Sequence, residues 1–338
     1  MPHMNRRDFG RAGMLGIAGL GLPAAAAGAQ TAGSGAYRYV HLDVFTDRRL
    51  QGNQLFVFLQ PAGLDTDTMQ TMTRESNLSE CTFVFPPEAA GTDYRVRIFT
   101  RTAETPFAGH PTIGTAFALA HAGVLKPGLA RTTFGLGVGP INLDLDWKDG
   151  HLAFAWMTQL KPTFGKTVTD GPALRAALGL DDSGSVRLQP DQTPAGQEVN
   201  CGSNFFIVPV ATRTAVDAAV LDRAKVDALF SAAGIQRRGI YIFSTEKAQD
   251  EATAYSRLLS AGGIEDPATG SAAGPAGSFA AKYGLAGSGA DSTIVFLQGV
   301  LVRRPSRIHV RIGKTGEEIT SVKVGGSSVV VGEGTMSV

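Results

Sequence analysis

The chain carries two short motifs that each occur twice at nearly the same spacing. His110–Ala116 aligns without gaps with Asp266–Ala272, 156 residues later, and shares its Pro, Gly and Ala. Gly52–Val57 similarly parallels Gly202–Ile207, 150 residues later. Two ordered repeats at similar offsets indicate duplication of one structural unit. The sequence therefore predicts two similar halves, each of which presents one helix N-terminus to a cleft between them.

The hydrophobic pattern indicates which elements build these halves. Alternating apolar and polar residues predict strands over Tyr37–Leu59 (broken at Gly52-Asn53), Arg95–Thr100, Ile141–Trp147 and Arg307–Ile312. Helical spacing predicts helices over Asp67–Asn77, Pro172–Leu180 and Val216–Ala233, with small-residue helices starting near Thr112 and Thr269. Strands with interspersed helices predict an α+β fold. The Pro- and Gly-rich stretch 181–197 divides an N-terminal half, residues 37–185, from a C-terminal half, residues 195–338.

Composition restricts the class of partner. The 338 residues include 31 Lys and Arg against 30 Asp and Glu, so the chain gives no reason to expect a nucleic-acid partner. Its 42 glycines allow backbone and ligand to approach closely. Backbone N–H groups at a helix N-terminus bind carboxylates without a metal. Two facing N-termini therefore predict a small acidic metabolite as the ligand, although two ordinary buried helix starts are the structural alternative.

No sequence motif indicates a metal or a cofactor. Gly135–Gly139 resembles a dinucleotide-binding loop, but Pro140 and an alternating strand follow where a helix should begin. Cys81 and Cys201 are the only cysteines; they lack zinc-ligand spacing and are too few for a disulfide framework. We therefore expect no metal and no cofactor, and two free buried thiols rather than a bridge between them.

Residues 1–29 have the pattern of a twin-arginine export signal. A pair of arginines precedes the weakly apolar run 12–22, and small residues precede Gln30. This run has about half of the roughly 20 residues that a membrane-spanning helix needs, so we expect no stable membrane insertion. The predicted location of the mature protein is the periplasm, and a basic cytosolic N-terminus is the alternative.

Seven segments of the mature chain carry a longer resemblance. They are Asp43–Thr46, Gly52–Leu55, Asn77–Glu80, Arg97–Thr100, Pro106–Ala116, Glu265–Ala272 and Gln298–Ser306. In this order they resemble the phenazine-biosynthesis isomerase (PhzF-like) family over nearly all of residues 37–338. The resemblance implies a diaminopimelate-epimerase-like fold, in which two pseudo-symmetric halves, each a barrel-like sheet around a central helix, enclose one cofactor-free site. It also implies an isomerase in which a glutamate takes a proton from a small cyclic acid and a proton is returned elsewhere.

The resemblance also implies a set of site residues. Glu80 would be the glutamate that takes the proton, and His110 and Asp266 would be polar catalytic residues opposite one another in the cleft. The implied substrate-binding residues are Asn53, Gly109, Gly270 and Ser271. Cys81 departs from the pattern, because family members often carry threonine at this position.

The residue chemistry around Glu80 independently suits a base. Leu78 and the apolar run Phe83–Phe85 would shield the carboxyl and raise its pKa toward working pH. Each assignment keeps a structural alternative. Glu80 would otherwise be a solvated residue at a strand end, Asp266 would only cap the helix that follows it, and His110 would be a structural hydrogen-bonding group.

Two other functions remain open from the sequence. Racemases and epimerases of this fold use two opposed cysteines as base and acid, and this chain has two cysteines. Their motif positions are occupied here by Ala108-Gly109 and Asp266-Pro267, which hold no thiol. A periplasmic protein that binds small acids without turnover would keep the same cleft. The identity of the acid is not indicated, and a homodimer is possible although no sequence pattern points to one.

The export signal generates the first testable prediction. Replacing Arg6 and Arg7 together by Lys should leave the protein in the cytoplasm, because the export route reads the arginine pair. Cell fractionation and immunoblotting measure this, with Arg11→Lys as the matched control that should still be exported and should begin near Gln30. Normal periplasmic accumulation of the double variant would contradict the export signal.

Overall fold

The computed structural model describes residues 35–180, 194–236, 239–259, 265–287 and 289–338. The predicted export signal, residues 1–29, and most of the predicted junction, residues 181–193, lie outside the described residues. The strands are β1 (Ala36–Val44), β2 (Asn53–Phe58), β3 (Glu80–Phe85), β4 (Tyr94–Thr100), β5 (Glu104–Thr105), β6 (Arg131–Leu136), β7 (Gly139–Lys148), β8 (His151–Thr158), β9 (Thr163–Val168), β10 (Gly196–Asn200), β11 (Asn204–Pro209), β12 (Ile240–Ser244), β13 (Ala254–Leu259), β14 (Asp291–Gln298), β15 (Ser306–Thr315), β16 (Glu318–Gly326) and β17 (Ser328–Ser337). The helices are α1 (Thr66–Ser76), α2 (Gly109–His121), α3 (Gly171–Ala177), α4 (Arg213–Ala218), α5 (Arg223–Ala233) and α6 (Gly270–Lys282).

The strand pairings repeat along the chain. One run of neighbouring strands is β17-β1-β2-β3-β4-β6-β7-β8, and a second is β9-β10-β11-β12-β13-β14-β15-β16. In the first run the pairings are antiparallel, antiparallel, parallel, antiparallel, parallel, antiparallel and antiparallel. The second run has the same series of directions. This repeat confirms the predicted α+β fold of two similar halves.

Strand exchange and a shared pairing join the two runs. β9 lies in the predicted N-terminal half but pairs with β10, whereas β17 lies in the predicted C-terminal half but pairs with β1. β8 and β16 pair antiparallel and connect the runs directly. The boundaries 37–185 and 195–338 stay a prediction, because pairing shows where strands lie and not where a domain ends.

Each run of strands packs around one helix of small residues. α2 contacts β1, β2, β8 and β17, and α6 contacts β10, β11, β15 and β16. Both helices are buried on nearly every side because strands surround them. Their small side chains allow the strands to pack this closely. At Gly114 an added Cβ would lie 2.5 Å from the Leu55 side chain, and at Gly277 it would lie 2.7 Å from that of Val310. The predicted central helices are therefore present in both halves.

The helix predicted over Val216–Ala233 is wrong as a continuous element. It is two helices, α4 and α5, and Asp222 caps the second by accepting a hydrogen bond from the Lys225 N–H. The Arg257 guanidinium donates to the carbonyl oxygens of Val216, Asp217 and Ala219, which a continuous helix would have used. A distant arginine therefore ends α4, which local periodicity does not reveal.

The N-termini of α2 and α6 meet at two glycines. A Cβ on Gly109 would lie 2.6 Å from the carbonyl carbon of Gly270 and 2.6 Å from the backbone nitrogen of Ser271. A Cβ on Gly270 would lie 2.8 Å from the ring of Phe45, which is fully buried. Because backbone cannot yield as a flexible side chain does, only glycine allows the two helices to approach this closely.

This contact predicts that Gly109→Ala destabilises the fold by about 1–3 kcal/mol, the usual cost of overpacking a well-packed interior. Gly332→Ala is the matched control, because a Cβ at Gly332 would have nothing within 4 Å. Urea unfolding of both variants measures the difference. Equal stability of the two variants would contradict the close approach of α2 and α6.

Candidate active site

Glu80 is the first residue of β3 and lies beside the N-terminus of α2. Asn77, with a φ of 54°, ends α1 in the left-handed conformation, and the chain then turns into β3. The Glu80 Oε2 atom lies 3.7 Å from His110 Nε2, and its side chain is 20% exposed. Burial raises the pKa of Glu80, while a hydrogen bond from Ser79 and the charge of Arg101 oppose that rise. The pKa of the carboxyl therefore lies above that of a solvated glutamate.

His110 is the second residue of α2, and its ring is almost fully buried. Burial lowers the pKa of the imidazole to about 4, although the Asp266 carboxylate acts in the opposite direction. The ring is therefore neutral at pH 7. Among the described residues, neither His110 Nε2 nor Glu80 Oε2 has a hydrogen-bond partner, and both atoms are buried. Buried polar atoms are usually paired, so two adjacent unpaired atoms indicate a place for a ligand.

Asn53 connects both halves of the site. Its amide Nδ2 donates to Asp266 Oδ1 at 2.6 Å and to the Ala268 carbonyl oxygen at 2.9 Å. It also lies 3.1 Å from His110 Nδ1. An amide nitrogen has two hydrogens, so the His110 contact at most shares one of them. Asn53 thus fixes the distance between α2 and the segment before α6.

The turn before Asn53 is held by a buried ion pair. Arg304 pairs with Asp43 and also donates to the carbonyl oxygens of Gln51 and Gly52, each at 2.8 Å. Gly52 has a φ of 68°, and a Cβ there would lie 2.4 Å from the Val44 carbonyl oxygen. The motif Gly52-Asn53 therefore needs glycine for the turn and places Asn53 at the start of β2.

Asp266 faces the same space as Glu80 from the opposite half. Its Oδ1 accepts from Asn53, and its Oδ2 accepts from the Thr269 hydroxyl at 2.7 Å. Burial raises the pKa of Asp266 to about 6, and the nearby Glu80 charge contributes to the rise, against the effects of His110, Thr269 and Asn53. Burial and the Glu80 charge therefore work against ionisation of Asp266, and the hydrogen bonds from Thr269 and Asn53 work in favour of it.

The reading of Asp266 as a helix cap is wrong. α6 begins at Gly270 with Thr269 as its N-cap, and the Asp266 side chain binds side chains of Asn53 and Thr269 instead of a helix N–H. Neither N-cap, Ala108 for α2 or Thr269 for α6, makes a side-chain capping bond. The first N–H groups of both helices, which include those of Gly109 and Ser271, are therefore not capped by a side chain.

The structure brings all seven predicted residues to this one place. Asn53, Glu80 and His110 approach from one half, and Asp266 with Gly270-Ser271 approaches from the other, where Gly270 meets Gly109. Sequence reasoning missed the buried side chains that hold Asp266, namely Thr269 and Gln298. Both lie in segments that carry the family resemblance, Glu265–Ala272 and Gln298–Ser306. The resemblance therefore included these residues but did not indicate their contacts.

Both cysteines are free and buried, and neither belongs to the site. Cys81 Sγ lies 3.3 Å from Ser76 Oγ, and burial raises the pKa of its thiol to about 11. Cys201 Sγ lies 3.7 Å from Ser278 Oγ, and burial raises its pKa to about 12. A thiol needs a lowered pKa to act as a base near neutral pH.

The described residues contain neither a cluster of metal ligands nor a helix long and apolar enough to cross a membrane. Within ranges 35–180, 194–236, 239–259, 265–287 and 289–338, no three His, Cys, Asp or Glu side chains gather as metal ligands would. Across the same ranges, none of the helices has both the length and the apolar character that crossing a bilayer requires. The expectation that the protein uses no metal or cofactor stays a prediction.

Two equivalent halves whose helix N-termini meet over buried carboxyls define the diaminopimelate-epimerase-like class of fold. The structure is similar to that of a PhzF-family phenazine biosynthesis protein from Bacillus anthracis, with a TM-score of 0.77 at 24% identity, over 90% of this chain and 99% of that one. It is also similar to a hydroxyproline epimerase from Agrobacterium vitis, with a TM-score of 0.62 at 11% identity, over 90% of this chain and 93% of that one. At these identities the likeness shows the fold.

The sequence comparison specifies the family. The model of the phenazine biosynthesis-like family, PhzC-PhzF, matches residues 42–334. The chain is 36% identical over 307 residues to the trans-2,3-dihydro-3-hydroxyanthranilate isomerase of Pseudomonas aeruginosa, covering 88% of this chain and 98% of that relative. The chain therefore belongs to the PhzC-PhzF family and is an isomerase, which confirms the resemblance seen in its motifs.

The burial of both thiols predicts slow reaction with Ellman's reagent. In the native protein Cys81 and Cys201 should react at least about tenfold more slowly than after unfolding in guanidinium, because each thiol is buried with a raised pKa. The release of thionitrobenzoate at 412 nm measures both rates, with an added exposed cysteine, Glu75→Cys, as the positive control. Rapid native labelling of either thiol in the unmodified chain would contradict their placement.

Proposed function

We propose that this isomerase moves a proton between two carbons of a small cyclic carboxylic acid, using its own carboxyl groups and no cofactor. The observation that carries the proposal is a pair of buried atoms 3.7 Å apart, Glu80 Oε2 and His110 Nε2, neither of which has a hydrogen-bond partner within the described part of the chain. They lie next to two helix N-termini that lack side-chain caps. An anion-binding site next to a general base suits a carboxylic acid whose isomerisation begins with loss of a proton from carbon.

The substrate carboxylate would bind where α2 and α6 meet. The N–H groups of the first turns of both helices point to this place, and the positive end of each helix dipole favours a negative group. Because Gly109 and Gly270 have no side chains, the two helix N-termini lie against each other, and N–H groups of both can reach one carboxylate. The backbone would thus hold the acid while leaving its ring beside Glu80 and Asp266.

Glu80 would act as the general base. Its Oε2 takes a proton from a ring carbon next to a double bond; the electron pair of that C–H bond forms a new double bond to the neighbouring carbon, and the electrons of the old double bond move to its far carbon. The new O–H of Glu80 then returns the proton to the carbon at the far end, so the double bond shifts and no atom is gained or lost. The raised pKa of Glu80 makes its carboxylate a stronger base than that of a solvated glutamate.

The neutral imidazole of His110 supports this role. A protonated ring 3.7 Å from Glu80 would stabilise the carboxylate and weaken it as a base. With its pKa lowered to about 4, His110 adds no positive charge at neutral pH. It can therefore form a hydrogen bond with the substrate or with Glu80 without adding a positive charge that would weaken Glu80 as a base.

The relatives suggest a first compound to test. Trans-2,3-dihydro-3-hydroxyanthranilate, which the similar Pseudomonas aeruginosa isomerase is named for, is a small cyclic acid of the required kind. We propose this class of molecule as substrate, with action in the periplasm after export directed by the signal in residues 1–29. A small molecule remains the proposed partner, with neither nucleic acid nor stable membrane insertion expected, and a homodimer is one proposed assembly.

Glu80→Gln tests the chemistry directly. The variant keeps the size of the side chain but cannot accept a proton, so kcat should fall by about two orders of magnitude or more while substrate binding persists. Glu75→Gln on the exposed surface of α1 is the matched control and should keep full activity. The measurement is proton NMR of trans-2,3-dihydro-3-hydroxyanthranilate and related cyclic acids incubated with enzyme in deuterated water, which detects both the shift of the double bond and any uptake of deuterium.

Three outcomes of that experiment would count against the proposal. Full activity of Glu80→Gln together with loss of activity in Cys81→Ser or Cys201→Ser would establish thiol epimerisation instead. Binding of acids with neither a shift of the double bond nor deuterium exchange would indicate a binding protein. Loss of exchange that follows a metal chelator and returns with metal would show that the reaction needs a metal.

A further inference from the structure

Gln298 is a fully buried amide at the end of β14 whose hydrogen-bonding groups are all used. Its Nε2 donates to the Asp266 carbonyl oxygen at 2.8 Å and to Thr269 Oγ1 at 3.0 Å. Its Oε1 accepts from the Thr269 N–H at 3.1 Å and from the Tyr241 hydroxyl at 3.1 Å. A neutral side chain with four bonds and no exposure has one orientation available to it.

The backbone fixes the direction of these hydrogen bonds. The Thr269 N–H can only donate and the Asp266 carbonyl oxygen can only accept, so the two ends of the Gln298 amide cannot be exchanged. Thr269 Oγ1 must therefore accept from Gln298, which leaves its own hydrogen for Asp266 Oδ2 at 2.7 Å. On the other oxygen, Asn53 must donate because its Nδ2 also donates to the Ala268 carbonyl.

Asp266 and Glu80 thus have unlike surroundings. Both oxygens of Asp266 receive a hydrogen bond from a donor that cannot reverse, whereas Glu80 Oε2 receives none among the described residues. A fixed donor stabilises the ionised carboxylate relative to the acid. A fixed negative charge close to a second carboxyl makes that carboxyl more basic.

We propose that Gln298 and Thr269 are positioning residues that hold Asp266 as an ionised hydrogen-bond acceptor, so that its charge keeps Glu80 a strong base. Gln298 orients the Thr269 hydroxyl, and that hydroxyl orients and stabilises the Asp266 carboxylate. Gln298 and Thr269 would not touch the substrate, whereas Asp266 and Glu80 would. This inference rests on the proposed function for its effect on turnover, whereas its effect on Asp266 itself does not depend on any substrate.

The other charged groups around Asp266 leave this assignment intact. His110 on α2 is neutral at pH 7, because its pKa is about 4. Tyr241 on β12 stays a neutral donor, because burial raises the pKa of its hydroxyl. Glu265 is paired with Arg257 at 2.9 Å, so its charge is largely offset. Among these groups, only the charge of Glu80 on β3 opposes the ionisation of Asp266. The hydrogen bonds from Thr269 and Asn53 favour that ionisation.

Thr269→Val removes the hydroxyl and preserves the shape of the side chain. The Asp266 titration midpoint should then rise by about one to two pH units, because the lost hydrogen bond stabilised the ionised carboxylate and not the acid. Thr269→Ser keeps the hydroxyl and should restore the midpoint. Gln298→Met should also raise it, with a loss of stability that urea unfolding measures.

The measurement is carbon-13 NMR of protein with labelled aspartate carboxyls, titrated without substrate, with Asp266→Asn to assign the signal. Turnover gives the second readout. Because Asp266 must be ionised, Thr269→Val should lose activity several-fold near pH 6 and recover it above pH 8 as the carboxyl ionises again. Thr269→Ser should follow the unmodified enzyme at every pH.

Two results would overturn the proposal. One is an Asp266 midpoint that stays in place in Thr269→Val, and the other is a loss of activity equal at all pH values, which a purely structural role would give. Failure of the proposed function is distinguishable, because it would appear as full activity of Glu80→Gln while the NMR titration of Asp266 still responded to Thr269→Val.

Discussion

The contact between Gly109 and Gly270 is the constraint on which the rest of the site depends. It brings two helix N-termini into backbone contact, with an added Cβ only 2.6 Å from the opposite chain. The positive ends of two helix dipoles repel each other unless negative groups lie near them. Glu80 and Asp266 supply such groups, one from each half. The fold thus creates a place that favours negative charge, and the acidic side chains and the proposed acidic substrate both follow from it.

Burying two carboxyls at that place carries a free-energy cost, and the structure offsets this cost more for Asp266 than for Glu80. Asp266 is stabilised by Asn53 and Thr269, and Gln298 holds Thr269 in turn. Glu80 has an unpartnered oxygen beside a neutral imidazole. A buried carboxyl oxygen without a hydrogen-bond donor or a positive charge beside it is a readier proton acceptor. A difference in hydrogen bonding between two otherwise similar groups can therefore assign them different roles in one reaction.

The sequence predicted the fold class and the members of the site but not the contacts between them. The repeats at His110 and Asp266 predicted the duplication, and the pairing directions of the strands confirm it. The break between α4 and α5 escaped prediction because it depends on Arg257, which follows them in the chain by more than twenty residues. Gln298 was visible only as part of a motif. Its role depends on four partners from separate elements, and no periodicity in one sequence encodes such a meeting.

The register of β3 decides which chemistry faces the site. Successive side chains of a strand point to opposite faces, so Glu80 and Cys81 cannot both reach it. Thr82 shares the face of Glu80 and bonds Thr115 of α2, whereas Cys81 packs with Phe83 in a separate apolar cluster. A shift of one residue would direct the thiol toward His110 and bury the carboxylate among aromatic rings, at a large desolvation cost. Strand pairing of Glu80 with Thr100 and of Cys81 with Phe99 therefore selects carboxylate over thiol at this position.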